Sequence, residues 1–259
     1  MDRLLELTSR AEASHFWFRG FRRFVAPVIT DAAAGRSDLR ILDCGCGTGY
    51  NLRMLAPYGR PCGMDLTQSG LDRARAAGRP LVRANAVHIP FATGSFDLVT
   101  CFDVLQCVPD DRGAVREMAR VLQPGGALIA TVAAFELLSG DHSLLTQEVH
   151  RYTRDAMRDL LAGAGLVPER VSYSFASLFP LMLGVRTLQR LVWGRHTARD
   201  QELQVPPVPV NAVLTALVSG EAALARHVRM PFGTSVIVLA RKPGAASKDG
   251  GLHTQARHS

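Results

Sequence analysis

Three glycines spaced one residue apart, Gly45, Gly47 and Gly49, follow the apolar run Ile41-Leu42-Asp43-Cys44 and precede Tyr50-Asn51-Leu52, which reads as the opening of a helix. Glycine allows backbone angles and close approaches that a Cβ would block. A strand-to-helix turn of this kind lets a ligand lie against bare backbone and the helix N-terminus. Sixteen residues after Gly49, Asp65 ends a second apolar stretch, Pro61 to Leu66. An acid in that place accepts hydrogen bonds from both hydroxyls of a ribose. GxGxG also occurs in plain tight turns, but strand, turn, helix and ribose acid in this order point to a nucleoside cofactor.

Here the chain resembles the class I S-adenosylmethionine (SAM) dependent methyltransferases, most nearly the small-molecule group that includes the ubiquinone-biosynthesis enzymes. The family motif, two apolar residues and then Asp-x-Gly-x-Gly-x-Gly, is matched without a gap by Ile41 to Gly49. A NAD-binding turn would normally lack the strand-end acid that Asp43 supplies. Ala84 to Phe91 resembles the family's adenine-contacting stretch, Ser95 to Val99 opens a fourth strand, and Leu122 to Gly126 precedes a fifth. The likeness is strong over residues 38 to 134 and loose outside them.

The resemblance implies SAM as cofactor, with S-adenosylhomocysteine as product, and a set of contacts for it. Asp43 would orient the turn or meet the SAM amino group. Cys44, Gly45, Gly47 and Gly49 would present backbone, with Tyr50 and Asn51 opening the helix. Asp65 would bind ribose and Leu66 flank adenine, beside Asn85, Ala86 and Val87. Asn85 stands where the family usually has Asp, and its amide oxygen can still accept from the adenine amino group. Phe102 and Asp103 would close the site at the end of the fourth strand. In Asp103-Val104-Leu105-Gln106-Cys107-Val108, Cys107 replaces the family's histidine, so no base is carried over to that position.

The bulk properties fit one domain with insertions. The 259 residues are 47% apolar and 20% charged, enough for a substantial core. No apolar run is long enough to span a membrane, and the acid-bearing N-terminus does not resemble a signal peptide. A cytoplasmic protein is the expectation. The net charge of +7 comes from scattered basic residues, which form no phosphate-tracking stripe. Nucleic acid is therefore disfavoured as a partner. Of the five cysteines, Cys44 and Cys46 lie inside the glycine turn and have no CxxC or His pair beside them. Buried reduced thiols are expected, and no metal.

Strands expected at 39–43, 60–65, 80–84, 97–102 and 127–133 alternate with helices, which calls for a parallel sheet. Glu169 to Tyr173 and Thr234 to Arg241 supply two more. The predicted fold is α/β: a Rossmann-like seven-stranded sheet, order 3-2-1-4-5-7-6 by resemblance, last strand antiparallel, with helical lid insertions. Its domains would be an N-terminal helical lid (1–37), the SAM-binding core (38–242) and a disordered tail (243–259).

In the lid, Trp17, Phe21 and Phe24 share one helical face. That face suits packing or a lid, and Arg19 is the candidate to reach the methionine carboxylate. A first insertion, Phe135 to Asp155, would hang over the methyl group. It offers His142, His150 and Tyr152 as bases or orienting groups, although Thr153 as N-cap makes a structural anchor equally natural there.

The second insertion, 174–232, reads as helices 178–193 and 211–228 joined by a stiff extended connector over 205–210. Leu181, Leu188, Leu191 and Val192 would form the first helix's apolar face, with Arg186 and Arg190 off it. This helix could pack on the core, close over an apolar substrate, or make a membrane-surface or dimer contact through 178–193.

The expected reaction is in-line methyl transfer to a small, rather apolar acceptor, oxygen favoured, with C, N or S open. The rivals are a nucleotide-dependent oxidoreductase, a SAM-binding sensor or scaffold without transfer, an RNA methyltransferase, and a SAM fold that supports other chemistry.

Overall fold

The computed structural model describes residues 2–140, 143, 146–193 and 205–244. A seven-stranded sheet in the order β3-β2-β1-β4-β5-β7-β6 forms its centre. The strands are β1 Leu39–Cys44, β2 Gly59–Asp65, β3 Leu81–Arg83, β4 Phe96–Phe102, β5 Leu122–Ala133, β6 Val167–Ser174 and β7 Ser235–Arg241. The first five strands pair parallel, and β7 runs antiparallel between β5 and β6. The strand order and the direction of β7 are those expected from the sequence. β5 begins earlier than expected, taking in the Pro124-Gly125-Gly126 turn.

β4 is buried along its whole length, the mark of a parallel strand covered on both faces. Crossover helices α3 (Tyr50–Leu55), α4 (Gln68–Ala74) and α5 (Asp111–Val121) connect the parallel strands, and α6 (Arg154–Gly163) leads into β6. Thr67, Asp110 and Thr153 cap three of these helices through their side chains, satisfying backbone donors that would otherwise be left without partners.

Helices α1 (Asp2–Ala11) and α2 (Phe16–Ala33) precede the sheet. Trp17 stacks on Phe175 with ring centroids 4.1 Å apart, and Phe24 packs on the same ring. The second insertion forms α7 (Phe179–Trp193) and α8 (Val208–Leu224). α8 lies against α2 so closely that a Cβ on Gly20 would come within 2.2 Å of Val218 Cγ1. Asn211 fastens the crossing, accepting from Phe16 N at 2.8 Å and donating to the Ser14 carbonyl. The Glu221 carboxylate accepts from Ala176 N and Ser177 N, anchoring α8 to the end of β6.

One expectation for this insertion is corrected. The segment 205–210 is not extended throughout, because α8 starts at Val208 with Pro209 in its first turn. Proline is tolerated there, since the missing N–H would have no helical partner. Helix α7 turns its leucines outward. Leu181, Leu188 and Leu191 are 55%, 56% and 80% exposed, whereas Arg186 is 3% exposed. Burial of the guanidinium is made possible by its bonds to the Leu138 carbonyl and to Gln189 Oε1. The side chains of Arg190 and Val192 lie outside the described residues, as do His142 and the tail from 245 onward.

Candidate active site

The carboxyl ends of β1 and β4 meet at the switch point of the sheet, where open α/β folds place their ligands. A cavity of about 470 Å³ opens there, within the range of small-molecule sites. Its floor is the glycine turn, Gly45 to Thr48, with Tyr50 and Asn51 from α3 and Phe102 and Asp103 from β4. Glu12 and Arg22 from the N-terminal helices form one side, beside the rings of Phe16, Trp17 and Phe21. Leu178 and Met182 stand opposite, while Glu148 and Arg151 from the loop after β5 reach the inner end.

Gly45 has φ +82°, and a Cβ there would fall 2.2 Å from Val104 Cγ2. Only glycine can bring the turn this close to the end of β4. Gly49, with φ +79°, has a different reason: a Cβ would sit 2.7 Å from Ala74 Cα, so it serves the packing of α3 on α4.

Asp43 is buried behind the turn. Thr100 Oγ1 donates to its Oδ1 at 2.7 Å, and among the described residues its Oδ2 has no hydrogen-bond partner. Burial is the main cause that raises its carboxyl to about 7, partly offset by the Thr100 bond. Asp65 ties the turn to the end of β2: its Oδ2 accepts from Gly47 N, and its Oδ1 from Thr67 N and Oγ1.

The predicted contacts therefore divide. Gly45, Gly47, Tyr50, Asn51, Phe102 and Asp103 line the cavity. Asp43, Cys44 and Gly49 stand behind the floor. Asp65, Leu66, Asn85, Ala86 and Val87 lie at or just beyond the ends of β2 and β3, outside the cavity wall. Asn85 Oδ1 accepts from Val87 N, bracing its own turn. Arg19 is exposed and lies off the cavity. The arginine of α2 that reaches it is Arg22, one helical turn further on, with its guanidinium 4.6 Å from the centre of the Tyr50 ring. Desolvation is the largest influence on both charges, lowering Arg22 and raising Glu12.

The described candidates in the first insertion, His150 and Tyr152, do not line the cavity. His150 Nε2 is 3.2 Å from the Pro109 carbonyl and faces away from it. Tyr152 is buried, donates to Asp111 Oδ2 at 2.9 Å and lies 3.3 Å from the Leu105 carbonyl. Desolvation and then Asp111 push its phenol far above the ordinary value. Tyr152 is thus an anchor that holds the loop to the exit of β4.

Glu148 and Arg151, which the sequence did not single out, form an ion pair at 2.7 Å with both side chains under 10% exposed. Arg151 also bonds Ser143 Oγ and the Ala134 carbonyl. Cys107, in the place of the family histidine, is pushed up by burial to about 12 and offers no base.

Comparison with known proteins decides what the site belongs to. The methyltransferase-domain family profile matches residues 42–130, the span from β1 into β5. Over that span, which is less than half of its length, the chain is similar to a methyltransferase domain. A ubiquinone biosynthesis O-methyltransferase of Xanthomonas oryzae is 38% identical over 127 residues, 43% of this chain and 53% of that protein. A demethylmenaquinone methyltransferase of a Roseiflexus species is 34% identical over 157 residues, 57% and 64% of the two chains. In each case the match spans under two thirds of the relative's length.

Among solved structures, phosphoethanolamine N-methyltransferase 2 of Haemonchus contortus, in complex with SAM, superposes with a TM-score of 0.62. It is 17% identical, over 94% of this chain and 57% of that one. SAM is the cofactor of such a domain, and two features of this chain fit it. Gly45 presents its backbone to the cavity, its missing Cβ leaving room for Val104. Asp43, buried behind the turn, keeps one carboxylate oxygen without a hydrogen-bond partner among the described residues, an acceptor for a donor that reaches it through the turn.

Proposed function

We propose that this protein transfers a methyl group from SAM to a small, rather apolar acceptor, with oxygen the favoured nucleophile. The observation that carries this reading is a cavity shared by the turn and apolar walls. Its floor is the glycine turn, and its opposite walls are Phe16, Trp17 and Phe21 on α2 and Leu178 and Met182 at α7. An acceptor held between those walls would reach the end of β4 with water excluded.

Bound at the turn, the cofactor supplies a methyl group already activated by a sulfonium. The chain's task is then alignment of a nucleophile within roughly 3–3.5 Å of that carbon. Tyr50 and Arg22 would hold the methionine end, and the apolar rings would orient the acceptor. The O-methyltransferase and quinone-pathway names of the relatives support the choice of acceptor class. The five described cysteines are free thiols, in keeping with a reducing cytoplasm. The exposed leucines of α7 belong to the same proposal, as an entry surface for an apolar acceptor or a membrane-surface or dimer contact.

The test is to incubate the protein with methyl-labelled SAM and, in parallel, alkylphenols, quinols, tRNA and bulk protein. Label in the phenolic products, with release of S-adenosylhomocysteine, is expected. Label only in tRNA or protein, or tight SAM binding with no transfer, would overturn the proposal.

A further inference from the structure

Asp103 occupies an unusual place at the end of β4. Its φ is +55°, a conformation uncommon for residues other than glycine and favoured by Asp and Asn among them. Two bonds fix it: Asp103 N donates to the Thr131 carbonyl at 2.9 Å, and Thr131 Oγ1 donates to Asp103 Oδ1 at 3.0 Å. The adjoining Val104 is the residue against which Gly45 packs, so this carboxylate stands beside the cofactor turn. It opens onto the cavity, and among the described residues no hydrogen bond reaches its Oδ2.

We propose that Asp103 is the general base of the reaction, taking the proton from a hydroxyl of the acceptor as that oxygen is methylated. The proposal rests on the methyl-transfer reading above and assigns the acceptor to the protic oxygen class, phenols and enols foremost. The acceptor's O–H bond breaks and its proton passes to Asp103. The oxygen's electron pair forms the new C–O bond, and the pair of the broken C–S bond stays on sulfur. The sulfonium charge and the carboxylate charge are both cancelled, so no further reactant is needed.

Other candidates for the base are occupied or misplaced. Glu148 is tied to Arg151, Glu12 accepts from Thr48, His15 uses its Nδ1 to accept from Trp17 N as the cap of α2, and His150 and Tyr152 lie off the cavity. Asp103 is exposed to the cavity, and desolvation by the surrounding walls raises its carboxyl to about 6, with the Thr131 bond pulling it down and Glu148 pushing it up. A base in that range is ionised at neutral pH and still accepts a proton readily. The other charged or titratable groups around it are Arg151 on the same loop as Glu148, Arg186 on α7, Glu12 and Arg22 on the lid, and Cys101 and Cys107 on its own segment.

The experiment compares wild type with Asp103→Asn, since Asn tolerates this backbone conformation and can still accept from Thr131. Two acceptors are used: 4-hexylresorcinol, whose hydroxyls are protonated at neutral pH, and 4-nitrocatechol in mildly alkaline buffer, where it is already ionised. The variant should lose about 10²-fold with hexylresorcinol and less than about threefold with ionised nitrocatechol. The wild-type rate should rise with pH through about 6 and then level, and the variant should lack that bend. Thr131→Val keeps the carboxylate but removes the bond that lowers it, so its bend should move to higher pH. Calorimetry should show hexylresorcinol binding to the S-adenosylhomocysteine complex of both wild type and Asp103→Asn.

Equal losses with both acceptors, a bend that persists in Asp103→Asn, or no turnover of either phenol by a wild type that binds S-adenosylhomocysteine would overturn the assignment. Absence of S-adenosylhomocysteine binding would instead overturn the methyl-transfer reading itself.

Discussion

The Thr48 hydroxyl donates a 2.5 Å hydrogen bond to Glu12 Oε1, joining the N-terminal helices to the glycine turn they cover. Glu12 also offers its backbone carbonyl to Arg22, so one residue links the turn to both lid helices. A bond to a partly buried carboxylate contributes about 1.5 kcal/mol, roughly tenfold in an equilibrium. Thr48→Val should therefore weaken SAM binding about tenfold by calorimetry while leaving the core's thermal transition in place. Unchanged affinity would mean that this contact does not help to close the site.

Gly45 is the position where the turn can least accept a side chain. Gly45→Ala adds a Cβ that meets Val104 Cγ2 at 2.2 Å and must also hold φ at +82°. SAM binding should be lost. Val104→Ala removes the colliding methyl group but not the backbone strain, which costs about 1–2 kcal/mol. The double variant should bind SAM measurably, yet about tenfold more weakly than Val104→Ala alone. Full recovery would show that the conformation of Gly45 is unimportant.

What the sequence made legible was local. Asp43 to Gly49 announces a strand, a turn and a helix within one short stretch, and neighbouring residues settle its geometry. The strand order came from resemblance and is matched by the sheet. The charges that line the cavity were not legible, because Glu12, Arg22, Glu148 and Arg151 come together only when separate segments fold over the turn. Arg22 was nearly within reach, since it stands one helical turn after Arg19 on the same helix. The orientation of α7 had no local signal: a helix with leucines on one face and Arg186 on another packs either way. Bonds from the buried guanidinium to Leu138 and Gln189 favour the orientation observed.

Tyr152 separates anchoring from chemistry. Its hydroxyl donates to Asp111 and lies near the Leu105 carbonyl, away from the cavity. Tyr152→Phe should cost about 1–1.5 kcal/mol of stability, a fall of roughly 2–6 °C in melting temperature for a domain of this size. With hexylresorcinol as acceptor, kcat should change less than about threefold below that melting range. A loss of about 10²-fold at unchanged stability would restore Tyr152 as a catalytic group.

Asp43 makes the stability of the cofactor-free protein depend on pH. Its carboxyl is raised from the ordinary 3.8 to about 7 in the fold, with burial as the largest cause. Between those values the folded chain keeps a proton that the unfolded chain releases, so Asp43 lowers stability as pH climbs from about 4 to about 7 and no further above it. Asp43→Asn keeps an acceptor for Thr100 without the buried charge. Its melting temperature should match wild type at acid pH and exceed it by about 3 °C or more in mildly alkaline buffer. A difference that is the same at both ends would refute the linkage.

Arg22 and Arg19 lie on one helix, yet only Arg22 reaches the cavity, its guanidinium stacked over Tyr50 and bonded to the Glu12 carbonyl. Partial burial weakens its hold on the charge, which a carboxylate brought into the cavity would restore. The methionine part of SAM carries such a group. Arg22→Ala should therefore weaken binding of SAM and S-adenosylhomocysteine about tenfold or more, with Arg19→Ala within about twofold of wild type. Arg22→Lys should recover only part, because a point charge cannot stack on the ring while offering a planar pair of donors. The discriminating ligand is 5′-methylthioadenosine, which has the nucleoside and sulfur but no carboxylate. Its affinity should be the same in wild type and Arg22→Ala, and an equal loss for all three ligands would show that Arg22 supports the lid rather than the carboxylate.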